Sequence, residues 1–119
     1  MTTTISGSSL SVGGLASGST STSTGSTTWN VLSAQTQVVT ASGATTVTIT
    51  NASSTPVGTG FTLIVIDAAS ASLSISASPT PKYVDATAPA LNGTSGDYLI
   101  LGLCHVGSGQ LLVTSATVS

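Results

Sequence analysis

FTLIVID at residues 61–67 and YLILGL within residues 98–103 decide the fold. Each is a run of Phe, Leu, Ile, Val and Tyr of strand length, with no helical period, and both fall far short of the roughly 18 apolar residues of a membrane span. Both runs are apolar on either face, so they read as central strands covered on two sides, the second layer being another subunit. Working outward, TTVTIT at residues 45–50 sets Val47 and Ile49 against Thr46, Thr48 and Thr50. SLSISA at residues 72–77 likewise sets Leu73 and Ile75 against Ser72, Ser74 and Ser76. Such alternation marks strands with one wet face. Further strands are expected at residues 29–32, 35–40, 97–106 and 110–115. The turn signals ASG (41–43), PVGTG (56–60), AAS (68–70) and GSG (107–109) separate them at intervals of about ten residues, as in sandwiches and barrels.

The pattern predicts an all-β fold, a small antiparallel β-sandwich of jelly-roll type over residues 29–119, preceded by an extended N-terminal arm over residues 1–28. The arm has no aromatic and no charged side chain, and SGSTSTSTGSTT at residues 17–28 is low-complexity sequence. Its apolar points are Ile5, Leu10, Val12 and Leu15, with Leu10 and Val12 alternating with Ser9 and Ser11. An uncharged Ser/Thr/Gly segment has too little to bury to offset its own ordering entropy, so a neighbouring chain is expected to hold it at these four residues. Pro79, Pro81 and Pro89 punctuate an expected loop over residues 78–96, where Tyr83 is a candidate contact.

Composition narrows the function. The 119 residues include 22 Ser and 22 Thr, and 3% are charged, namely Lys82, Asp67, Asp85 and Asp97, for a net charge of −2. Soluble domains usually carry about 25% charged residues. Without a basic patch, nucleic-acid binding is excluded, and the inventory of ionisable groups is too small for most catalytic chemistry. No enzyme activity, cofactor or metal is expected, and no membrane span. Residues 1–4 lack a basic leader region, so synthesis in a cytoplasm is expected. Bare strand edges and uncharged surfaces tend to pair, so a chain this poor in charge is expected to live inside an assembly.

The residues able to carry chemistry read as structural. Cys104 and His105 are adjacent in a strand and point to opposite faces, so they do not converge on one ion or proton. Asp67, Asp85 and Asp97 have no calcium-loop spacing and read as turn formers. Lys82 is placed to pair with Asp85 across solvent, a contact worth little. The sequons at Asn51 and Asn92 are chance matches in so Ser/Thr-rich a chain. Trp29, Tyr83 and Tyr98 offer stacking surfaces for a sugar, but Trp29 reads as a core anchor and Tyr98 as part of a central strand.

Taken in order, TVTI at 46–49, FTLIVI at 61–66, SLSI at 72–75, DATAPAL at 85–91, GDYLIL at 96–101 and the closing hairpin through residues 107–109 resemble the small β-sandwich of tailed-bacteriophage virions. That module recurs in tail-fibre, head-fibre and capsid decoration proteins. Where the family commonly has Trp-Tyr after the last turn, this chain has Gln110-Leu111-Leu112. The resemblance implies a non-enzymatic structural protein, commonly a homotrimer, on the capsid surface of a virion. The expected function is that of a decoration or cement protein binding the major capsid protein lattice. Ile5, Leu10, Val12 and Leu15 are then its capsid contacts, and Phe61, Leu63, Leu99, Leu101 and Leu103 its oligomer interface. The alternative is a fibre module recognising a host glycan through Tyr83.

Overall fold

The computed structural model describes residues 20–69, 71–77, 80–83, 87–91, 93–107 and 110–118. They form nine strands and one 3₁₀ turn: β1 (Thr20–Thr24), β2 (Thr27–Asn30), β3 (Thr36–Ala41), β4 (Ala44–Thr50), the turn Ala52–Ser54, β5 (Gly60–Asp67), β6 (Ser72–Ala77), β7 (Thr80–Tyr83), β8 (Tyr98–Gly107) and β9 (Gln110–Val118). The fold is all-β, with strands where the alternating and doubly apolar runs place them.

The strands build a six-stranded sheet in the order β1-β3-β5-β8-β9-β7 and a three-stranded sheet in the order β2-β4-β6. From β1 to β7 every consecutive strand changes sheet, so the chain winds between the two layers and neighbours within a sheet come from successive windings. Their pairing is therefore parallel: β1 with β3, β3 with β5, β2 with β4 and β4 with β6. β7 is also parallel to β9. Only β5 with β8 and β8 with β9 are antiparallel, and the β8–β9 hairpin sits between β5 and β7.

This corrects the expectation of an antiparallel sandwich. A period of two is common to parallel and antiparallel strands, and a short turn serves equally to reverse the chain within a sheet or to carry it across to the other. The first corner shows the second use. Gly25, at φ +74, donates its N–H to the Thr40 carbonyl at 2.9 Å and sends the chain from β1 into β2.

Two further expectations change. Residues 20–28, assigned to an arm, hold β1 and the start of β2, which are ladder partners of β3 and β4. Backbone pairing does not need the apolar side chains that the low-complexity stretch lacks. The expected 78–96 loop contains β7, with Pro81 inside it; β7 is the last strand of its sheet, a position where the missing proline N–H is tolerated. Ile5, Leu10, Val12 and Leu15 lie outside the described residues.

The core fills the space between the sheets. From the three-stranded sheet, Trp29, Val47 and Ile49 point inward, joined by the partly buried Leu73, Ile75 and Ala77. From the six-stranded sheet come Val39, Phe61, Leu63, Val65, Leu99, Leu101, Leu103, Leu111 and Val113, each at most 4% exposed. Phe61, Leu63, Leu99, Leu101 and Leu103 are thus interior residues, and the expectation that they form an oligomer interface is corrected. Register explains the placement, because Phe61 lies opposite Leu103 and Leu63 opposite Leu101, all on the side that faces the second sheet.

Candidate functional site

The alternate positions of the same strands build the outer face of the six-stranded sheet. Pairing aligns them in rows across β3, β5, β8 and β9: Val38, Ile64, Ile100 and Ala116 in one, and Thr40, Ile66, Tyr98 and Val118 in the next. Towards the hairpin end follow Thr36, Thr62, Gly102 and Thr114, and then Gly60, Cys104, Leu112 and Lys82. Ile100 is 36% exposed, Tyr98 44%, Leu112 44% and Val118 48%, and Val38, Ile64 and Ile66 are half-buried. Lys82, on the rim strand β7, is the one charged side chain in these rows.

The outer face of the three-stranded sheet has opposite chemistry. Its rows are Thr28, Thr48 and Ser76, then Thr46 and Ser74, then Asn30 and Thr50, hydroxyls and an amide throughout. A hollow of about 360 Å³ at the edge of this face is lined by Thr48, Asn51, Ser53 and Ser76 among others, and no ionisable group borders it. Two outward faces of one small domain, one hydroxylated in every row and one with two adjoining, mostly apolar rows beside a threonine row, are not explained by folding alone. Burial requires only that the inward positions be apolar.

The residues singled out for chemistry do not converge. His105 is 6% exposed and points inward, whereas Cys104 is half-buried on the outer face. The His105 Nδ1–H donates to the Thr55 carbonyl at 2.9 Å, while the His105 backbone accepts from Gly58 N–H at 2.7 Å and donates to the Thr59 carbonyl at 3.0 Å. His105 therefore pins the 51–60 segment to β8. Asp67 is fully buried beside Ala41, and its Oδ1 accepts N–H bonds from Ala69 and Ala71. Asp97 meets it through backbone, its carbonyl accepting from Asp67 N–H at 2.9 Å. Among the described residues no three His, Cys, Asp or Glu side chains gather as metal ligands. Asp85, and with it the expected Lys82–Asp85 pair, lies outside the described residues, as does Asn92.

The aromatic residues are likewise separated. Trp29 is 1% exposed, packed edge-on against Phe61 with ring centroids 6.3 Å apart. Tyr98 is on the outer face. Tyr83, expected as a loop contact, is instead a half-buried residue of β7 opposite Val113 and packed against the core.

Burial raises the Tyr83 phenol above its ordinary value of 10.0. Because the folded-state value lies above the unfolded one, the associated stability is complete below the unfolded value and is lost as pH rises through the folded one. Urea midpoints followed from pH 9 upward should fall above about pH 10 in the wild type and fall less in Tyr83→Phe. Equal alkaline decline in both would remove Tyr83 as its source.

Sequence reasoning missed the outer-face set because it treated both faces of residues 61–66 and 98–103 as equally apolar. The signal that separates them is Thr62 and Gly102, which fall opposite each other and mark the outward parity. No family model matches the chain, and neither a curated protein nor a solved structure matches it.

Proposed function

We propose that this chain is a non-enzymatic structural subunit of a virion: a decoration or cement protein on the capsid surface that binds the major capsid protein lattice and stabilises the head. It associates with copies of itself. The observation that carries the reading is the nearly uncharged outer face of the six-stranded sheet, with its adjoining rows of Val38, Ile64, Ile100 and Ala116 and of Ile66, Tyr98 and Val118. On a free monomer such a face is an aggregation liability, and in an assembly it is covered. The scarcity of charge across the whole chain supports the same conclusion. In this reading Ile5, Leu10, Val12 and Leu15 reach the capsid lattice.

The test is occupancy on purified particles. A decoration protein is present at hundreds of copies per particle by quantitative mass spectrometry, and a fibre-tip module at a few. Removing residues 1–19 is expected to leave the β-fold intact by circular dichroism while abolishing re-binding to particles lacking the protein. Removing residues 1–28 also deletes β1 and half of β2, and is expected to unfold the chain. Unchanged occupancy after removal of residues 1–19 would assign docking to the sheets.

A further inference from the structure

We propose that the outer face of the six-stranded sheet is a self-association surface, which in the assembled protein packs against the same face of a second copy. The proposal deepens the structural reading above by naming the occupant of its apolar face. Three observations select a second copy. The first is chemical matching: every row on this face is uncharged except at Lys82 on the rim. A partner with an ordinary charged surface would have to desolvate charges that find no counter-charge here, whereas a second copy brings the same uncharged rows.

The second is area. Strands about 4.8 Å apart, with about 3.3 Å per residue along each, make this face about 25 Å by about 20 Å. Its projected area is on the order of 500 Å², which side-chain relief raises towards the roughly 600–800 Å² a side buried by weak to standard interfaces. The third is the contrast between the two sheets. The three-stranded sheet presents hydroxyls to solvent in every row, so this sequence builds a wet face where it needs one, and it does not build one over Ile64, Ile66, Tyr98 and Ile100.

The contact is sheet on sheet, with layers about 10 Å apart and side chains interdigitating as they do in a core. The row Val38, Ile64, Ile100 and Ala116 crosses the middle of the face, so Ile100, 36% exposed, lies near the centre of the contact. A lysine there buries an uncompensated charge once per copy.

Sedimentation equilibrium of the full chain between about 1 and 100 μM, a range that spans ordinary self-association, tests the proposal. The wild type is expected as a discrete oligomer. Ile100→Lys should weaken its association about a hundredfold or more, and Tyr98→Lys should do the same from the neighbouring row. Leu32→Lys changes a 58%-exposed residue in the turn after β2 and should leave the oligomer unchanged. Circular dichroism identifies a variant that has lost its fold, in which case the other outer-face variant decides. A monomeric wild type at 100 μM, or an oligomer that survives the outer-face lysines in folded protein, overturns the self-contact. High occupancy of particles by such a protein would leave the decoration reading standing; a face-dependent oligomer absent from particles would overturn that reading and keep the self-contact.

Discussion

Trp29→Ala is expected to cost about 3–5 kcal/mol, a large share of the about 5–15 kcal/mol by which small domains are stable. The side chain is 1% exposed and sits on β2, an edge strand of the three-stranded sheet, yet its ring packs T-shaped, at 89°, against Phe61 of β5 in the other sheet. It is therefore a tie between the two layers as well as filling for the core. Its indole N–H also donates to the Ala34 carbonyl at 2.7 Å, fixing the turn that leads from β2 into β3. Truncation removes the largest buried side chain, opens a cavity between the sheets and orphans a buried carbonyl. Trp29→Phe keeps most of the apolar contact and loses the hydrogen bond, so it should cost roughly 1–3 kcal/mol. Because Trp29 is the only tryptophan, urea unfolding has to be followed by circular dichroism. Equal stability of wild type and Trp29→Ala would show that the sheets are held together elsewhere.

What the sequence made legible was strand position. Val47 and Ile49 alternating with threonines, and Leu73 and Ile75 alternating with serines, are strands with one buried face, as the structure has them. Strand direction was hidden, because those same alternations serve a parallel pair as well as an antiparallel one. In β1, STST carries no apolar signal at all; its place is set by the ladder from Thr20 to Thr24 against Thr36 to Thr40, a long-range backbone interaction that no local pattern encodes. β7 was hidden by its proline, which excludes a central strand but suits the edge position that β7 occupies.

The candidate face was legible in kind and not in parity. A run such as Phe61 to Ile66 has apolar residues at both parities, so it declares that both of its sides need cover without saying which side the chain itself supplies. That choice is made by the second sheet. Trp29, reaching Phe61 from β2, selects the odd positions of β5 as interior and leaves Ile64 and Ile66 outside. His105 and Cys104 were legible because neighbours in any strand, parallel or antiparallel, point to opposite faces.

Asp67→Ala is expected to cost about 2–3 kcal/mol, since it orphans the buried Ala71 N–H, where a buried unpaired donor typically costs about 1–3 kcal/mol, and removes the longer bond from the exposed Ala69. The residue closes β5 on the inward side with 0% exposure, an unusual position for a carboxylate, and the local geometry shows why it is there. Its Oδ1 accepts from Ala69 N–H at 3.3 Å and from buried Ala71 N–H at 2.8 Å, which shapes the corner carrying the chain from the six-stranded sheet into β6. Its backbone holds the approach to β8 on the other side, accepting from Gly96 N–H at 2.6 Å and donating to the Asp97 carbonyl. The second carboxylate oxygen, Oδ2, is buried and has no hydrogen-bond partner among the described residues. An acceptor at Oδ1 is thus the part of the side chain the corner uses. Asp67→Asn retains an oxygen for it, and should cost about 1 kcal/mol, clearly less than the alanine variant, with most of the loss coming from the weaker uncharged acceptor. Urea midpoints of the three proteins at neutral pH make the comparison. If Asn proves as damaging as Ala, the carboxylate charge itself is required at this corner, and the account of Asp67 as a neutral-replaceable turn former fails.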